Sequence, residues 1–193
     1  MKTPSLARGS WRAAAPPVLD VAQKYWLFRP GALTAGLRRL GRLDLRVLAQ
    51  YAQGALPDEA LALRIRPGAP VWVREVMMAV DGVDCVVARS LTPLAASRGV
   101  WQGMRRLRTR PLADMLYHDP AVTRSRFVCR RLGPGVPFHI TARAAAARAG
   151  DAGTLLARRS VFWRGGQPLL VAEGFMPGFW RIVAARPVGE RLL

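Results

Sequence analysis

Two arginines and one glutamate occupy positions where the chain otherwise places apolar residues. Arg74 ends the run Val71-Trp72-Val73-Arg74, Arg89 follows Val86-Val87-Ala88, and Glu173 interrupts Leu169-Leu170-Val171-Ala172-Glu173-Gly174-Phe175-Met176. Asp81-Gly82, between the first two runs, is a strong two-residue hairpin signal. Folding the flanks back from it pairs Val80 with Val83, Met78 with Cys85, Val76 with Val87 and Arg74 with Arg89, all on one face. Directly opposed side chains stand about 5 Å apart, and like charges there destabilise the pair unless an anion lies between them. Glu75 is adjacent to Arg74 but points to the opposite face, because strand neighbours alternate sides. Arg74 therefore needs either an acid from a distant segment or a carboxylate ligand.

A second hairpin supplies the glutamate. With Gly165-Gly166 as the turn, Arg164 pairs with Gln167, Phe162 with Leu169, Ser160 with Val171 and Arg158 with Glu173. Glu173 then shares a face with Leu169, Val171 and Phe175, and it is one of only 12 acidic residues in a very basic chain. A buried carboxylate must find a partner or lose its charge. A plain ion pair with Arg158 meets that need, and so does a pocket in which Glu173 acts as acid, base or hydroxyl-binding group. The residues alone leave both open.

The elements that hold these side chains are readable in outline. Helical spacing of Val18, Val21, Tyr25 and Phe28 predicts a helix over 18–28, ended by Arg29-Pro30-Gly31, with a second over 32–40. Alternation predicts strands over 43–47 and near 61–65, then the first hairpin. A helix over 94–107, another opened by Pro111 and running to Tyr117, a strand over 122–130 and a surface helix over 141–149 follow, before the second hairpin closes at Pro177. Hairpins with helices between them, and no βαβ rhythm, predict an α+β fold on a mainly antiparallel sheet. The expected organisation is a flexible leader over 1–17 and one domain over 18–193.

Composition narrows the function classes. Lys+Arg 30 against Asp+Glu 12 gives a formal charge of +18, a balance that suits nucleic acid, an anionic surface or an acidic small molecule. The basic residues are nearly all arginine, scattered through every segment, with Lys2 and Lys24 the only lysines. That spread disfavours a nucleic-acid stripe, so no nucleic-acid partner is expected. Cys85 and Cys129 lie in apolar runs without a CxxC or nearby histidine, which argues for reduced core thiols and against a metal site. No signal peptide and no run of ~18 apolar residues is present, so the expectation is a cytoplasmic protein without stable membrane insertion.

Taken together, the blocks resemble the chorismate lyase (chorismate pyruvate-lyase) family. The resemblance rests on Val71-Trp72-Val73-Arg74-Glu75 through Asp81-Gly82 to Ala88-Arg89-Ser90-Leu91-Thr92-Pro93, on Arg110-Pro111-Leu112 with Val122-Thr123-Arg124, on Ala157-Arg158-Arg159-Ser160, and on Gly166-Gln167-Pro168 through Glu173-Gly174-Phe175-Met176-Pro177. These motifs cover most of residues 28–177 in the family's order. The resemblance implies a six-stranded antiparallel sheet with helices and helical flaps over a buried ligand. It implies a cofactor-independent lyase that converts chorismate to 4-hydroxybenzoate and pyruvate, as a monomer, at the first committed step of ubiquinone biosynthesis. Arg74 matches the arginine that grips the ring carboxylate, Glu173 the carboxylate that meets the ring hydroxyl, and Arg89 an arginine beside the site, expected to act in catalysis on the enolpyruvyl carboxylate or the leaving oxygen. Leu33 and Leu112 match flap positions, whose contacts to an anion would come from backbone N–H groups. The chain departs from the family at Leu156, where an aromatic residue is common, and in a longer stretch over 133–153. The different-class alternative is a sensing domain for small aromatic acids with the same fold, normally preceded by a DNA-binding module for which residues 1–17 are too few.

Overall fold

The computed structural model describes residues 11–148 and 155–192. Seven antiparallel strands, β1 (Leu43–Gly54), β2 (Pro70–Val80), β3 (Val83–Pro93), β4 (Thr123–Arg124), β5 (Val128–Arg131), β6 (Leu156–Arg164) and β7 (Gln167–Phe175), form one sheet in the order β1-β2-β3-β7-β6-β4, with β5 also paired to β6. β4 lies against Phe162 and Trp163 while β5 lies against Leu156 to Arg159, so both share one edge of β6. Seven strands thus fill six positions, and the strand expected over 122–130 is broken into two short pieces. Both hairpin turns have left-handed backbone at each central residue, with φ of 48° and 81° at Asp81 and Gly82 and 52° and 72° at Gly165 and Gly166. That conformation matches the twist of paired strands.

Helices cover both faces. On one, α1 (Val21–Phe28), α2 (Leu33–Leu40) and α6 (Pro177–Ala184) bury Trp26, Leu37 and Phe179 against Val76, Met78 and Phe175. Asp20 caps α1 through a capping box with Gln23, satisfying backbone donors that the helix cannot. The 3₁₀ turns Ala96–Arg98 and Gln102–Arg106 and the four-residue α4 (Ala113–Leu116) pack on Phe162 and Leu169 of the same face. On the other face, α3 (Pro57–Leu63) covers Val73, Leu91 and Leu170, and α5 (Pro137–Arg148) covers Met77, Val87 and Ala172.

Several expectations are corrected. The segment near 61–65 is the end of helix α3 and the turn after it, not a strand; Pro57 opens this helix, and Asp58 and Glu59 in its first turn favour the helix dipole. The helix expected over 94–107 resolves into two 3₁₀ turns, and that over 111–117 into the short α4. Helix α5 is not a surface helix: Phe138, Ala142, Ala145 and Ala146 are buried, and the expected end at Ala149 lies outside the described residues. β1 continues to Gly54, well past residue 47. The expected leader is docked from Trp11 onward, since Trp11 Nε1 donates to Asp58 at 3.2 Å and Arg12 exchanges two backbone hydrogen bonds of 2.8 Å with Cys129; residues 1–10 lie outside the described residues.

The correction that matters most for the site is one of register. Val80 pairs with Val83 as expected, but β3 carries one extra residue, Cys85, so that Met78 pairs with Val86 and Ala79 with Asp84. Beyond this bulge every residue of β3 is displaced by one. Arg74 therefore faces Ser90, and Arg89 faces Glu75.

Candidate active site

The register sets two adjacent rows of side chains across one face of the sheet. One row runs Gln50, Arg74, Ser90, Val171, Ser160, and the next runs Val47, Val76, Ala88, Glu173, Arg158. The rows are two residues apart along β2, β3, β7 and β6, about 6.6 Å, and three apart along β1, where the register shifts after Val47. Leu33 and Thr34 from α2, Leu112 and Ala113 at the start of α4, and Leu116 and Tyr117 at its end close over them. The cavity between contains about 550 Å³ of atom-free space, its mouth included. Arg74, Glu173, Leu33 and Leu112 all line it, and Arg89 does not.

Arg74 is 2% exposed and has no carboxylate within ion-pair distance among the described residues. Its Nη2 donates to the carbonyls of Arg108 at 2.8 Å and Arg110 at 3.1 Å, while Nε is buried without an acceptor. Burial lowers its pKa to about 10; a guanidinium still stays charged at neutral pH. The shift therefore reflects a desolvation cost that two neutral carbonyls only partly offset and that an anion would offset further. Ser90, 4% exposed, stands beside it in the register and also lines the cavity.

At the other end of the cavity, Arg158 Nε donates to Glu173 Oε2 at 2.6 Å. Arg158 Nη1 donates to the carbonyls of Trp26 at 3.1 Å and Arg29 at 3.4 Å, and the guanidinium carbon lies 4.2 Å from the centre of the Phe127 ring. The plain ion pair and the pocket carboxylate are thus both present. Glu173 is paired, and it still borders the cavity with its side chain 13% exposed.

The cover is made from two separate segments. Ala32 precedes α2 and gives no side-chain cap, so the first N–H groups of this helix have no intrahelical acceptor. Leu112 N-caps α4 without a side-chain cap either. Both leucines can offer an anion only backbone donors, which suits the expected flap contacts. Tyr117 ties the two segments together: its hydroxyl donates to the Gly31 carbonyl at 3.0 Å, and its ring meets Phe162 edge-on at 5.8 Å. Burial raises the Tyr117 pKa, keeping the hydroxyl protonated as a donor.

Arg89 has a different task. On the opposite face its Nε donates to Glu59 at 2.6 Å and its Nη1 to Glu75 at 2.6 Å and the Tyr51 hydroxyl at 2.8 Å. Thr141 of α5 adds a 2.6 Å bond to Glu75. Burial alone would lower the Arg89 pKa, but the bonds and charge of Glu59 outweigh it and the net shift is upward. This network joins β1, β2, β3 and α3 through one guanidinium, and α5 through Glu75. The facing arginine pair expected from the hairpin does not exist, because the bulge turns Arg89 away from the cavity. Sequence reasoning also missed Ser90 and Tyr117 as lining residues of the cavity; a hydroxyl one residue past helix α4 carries no motif. Among the described residues no cluster of His, Cys, Asp or Glu is arranged to hold a metal ion.

A family model described as chorismate lyase matches residues 6–184. The chain is 67% identical over 192 residues to a probable chorismate pyruvate-lyase of Bordetella pertussis, an alignment spanning 99% of this chain and 100% of the relative. A probable chorismate pyruvate-lyase 1 of Pseudomonas entomophila is 41% identical over 182 residues, spanning 94% of this chain and 97% of the relative. Among solved structures, the effector domain of PhnF from Mycobacterium smegmatis aligns with a TM-score of 0.54 at 16% identity, over 76% of this chain and 89% of that one. The ligand-binding domain of a GntR-family transcriptional regulator from Bordetella bronchiseptica aligns with a TM-score of 0.51 at 18% identity, over 70% and 86%. These two share the fold. With the cavity, its arginine and its carboxylate in register, and with sequence identity maintained over nearly the whole chain, this protein belongs to the chorismate lyase family.

Proposed function

We propose that the protein converts chorismate to 4-hydroxybenzoate and pyruvate. The observation that carries this reading is Arg74, a buried guanidinium without a counter-ion among the described residues, in a cavity whose far end holds Glu173. Arg74 and Glu173 stand two strands and two residues apart on one face, about 12 Å between their backbones, which suits a six-membered ring with a carboxylate at one end and a hydroxyl at the other. Arg74 holds the ring carboxylate, for which a planar guanidinium is better shaped than an ammonium, and backbone N–H groups at Leu33 and Leu112 complete the cradle. Glu173, oriented by Arg158, accepts the bond from the ring hydroxyl and takes the proton from the hydroxyl-bearing carbon. As that C–H electron pair forms the ring double bond, the neighbouring C–O bond breaks and the leaving enolpyruvate takes a proton to become pyruvate. Aromatisation drives the step, so the protein has only to hold one conformer of a dianion away from water.

In this reading the enzyme is a cofactor-independent cytoplasmic monomer at the first committed step of ubiquinone biosynthesis. No helix among the described residues is long and apolar enough to cross a membrane. The fold shared with effector domains favours one other reading, a sensor that binds a small aromatic acid without turning it over. Incubation with chorismate separates the two: pyruvate is followed by a coupled dehydrogenase assay and the aromatic product is identified by chromatography. Production of both supports the lyase, and binding without pyruvate release overturns it in favour of the sensor.

A further inference from the structure

Chorismate has a second carboxylate, on the enolpyruvyl arm, and with Arg89 outside the cavity its recognition must come from elsewhere. The arm springs from the ring carbon bonded to the one that carries the hydroxyl, so it starts beside Glu173. From there the cavity offers two walls. Toward β1 and β2, beyond Arg74 itself, the wall is Leu45, Val76 and Met78, all apolar; toward β6 it is Phe162 with the polar Arg158 and Ser160. A carboxylate leaving water goes to the wall that can pair with it.

Arg158 and Ser160 are built for that contact. They are 1% and 3% exposed and lie two residues apart on the same face of β6. Arg158 uses Nε for Glu173 and Nη1 for the carbonyls of Trp26 and Arg29, which leaves Nη2, and Phe127 stacked at 4.2 Å fixes the plane of the guanidinium. The Ser160 hydroxyl makes no hydrogen bond to another described residue. Its neighbour across the sheet, Val171, offers none.

We infer that Arg158 Nη2 and Ser160 Oγ form the subsite for the enolpyruvyl carboxylate, and that this subsite distinguishes substrate from product. The inference rests on the chorismate reading. 4-Hydroxybenzoate has lost the arm, so it uses Arg74 and Glu173 but not Ser160. The subsite thus adds affinity that disappears when pyruvate leaves, which favours turnover over product retention.

The test compares Ser160→Thr with Ser160→Val, which have the same shape and differ in the hydroxyl, alongside Ser160→Ala and Arg158→Lys. KM for chorismate is measured with kcat, and Kd for 4-hydroxybenzoate is measured by titration. Relative to Ser160→Thr, the Val variant is expected to raise KM for chorismate roughly tenfold, the loss of one hydrogen bond to a charged group, with the 4-hydroxybenzoate Kd changed less than twofold. Arg158→Lys, which keeps the charge but loses the fork, is expected to raise KM at least as far. Equal KM values for the Thr and Val variants, or parallel changes in KM and product Kd between those two, would overturn the subsite while leaving the lyase reading intact. If the unmodified protein releases no pyruvate from chorismate, the lyase reading and the subsite fall together.

Discussion

Arg74 and Arg89 are both buried arginines on adjacent strands of one hairpin, and the structure predicts opposite consequences for removing them. Replacing Arg74 with methionine keeps the aliphatic bulk and removes the charge. The variant loses two hydrogen bonds from a charged donor to the Arg108 and Arg110 carbonyls, about 1.5–3 kcal/mol each. It also removes a guanidinium that is 2% exposed, with a pKa depressed by burial to about 10, a desolvation cost on the order of 3 kcal/mol. These terms oppose each other, so the ligand-free variant should lose no more than about 3 kcal/mol of stability. Its affinity for 4-hydroxybenzoate should fall about a hundredfold or more, because a charge-assisted anchor worth roughly 3 kcal/mol is gone. Arg89→Met instead leaves Glu59 and Glu75 buried without their shared cation, a loss of about 3–5 kcal/mol in stability. Urea unfolding of both variants, paired with product titration of each folded one, checks the contrast. If Arg74→Met lost 4 kcal/mol or more of stability and still bound 4-hydroxybenzoate with full affinity, Arg74 would be a post that holds the 108–110 loop and the anion argument would be refuted.

Other measurements follow from the same geometry. Tyr117→Phe removes the bond to the Gly31 carbonyl that joins the two cover segments; the dissociation rate of 4-hydroxybenzoate, followed by stopped-flow fluorescence, should rise severalfold, and an unchanged rate would show that the covers move independently. Cys85, at the bulge, has its pKa pushed up to about 11, chiefly by burial, and burial raises that of Cys129 as well. A raised thiol pKa means less thiolate at any pH below it, so neither cysteine should react with a disulfide reagent at pH 8 until the protein unfolds, and a fast-reacting thiol in the native state would contradict the packing. Gly174→Leu should destabilise the domain by about 1–3 kcal/mol through overpacking, since even a Cβ there would come within 3.2 Å of Phe138; a thermal melt measures it.

The sequence by itself determined the two hairpins, because each depends only on a local turn. Asp81-Gly82 and Gly165-Gly166 take the left-handed conformation their residue types favour, and strand alternation from Gly165-Gly166 put Glu173 opposite Arg158 with every pair in place. The α+β class and the first two helices were also legible, and motifs in their family order singled out Arg74, Glu173, Leu33 and Leu112, which the fold gathers around one cavity. What the tertiary structure decided was the face on which Arg89 lies. A bulge adds one residue without a signature of its own: Cys85 and Val86 are both apolar, and both pack into the same core. Its effect is nonetheless complete, because side chains alternate with a period of two and a single extra residue reverses every one that follows. Glu59 on α3 and Thr141 on α5 reach Arg89 and Glu75 only after the chain has folded across 30 and 66 residues. Contacts between segments that far apart leave no periodicity in the sequence, so the partners of Arg89, and with them the release of the cavity to Arg74, Arg158 and Ser160, are set by the packing of helices on both faces of the sheet.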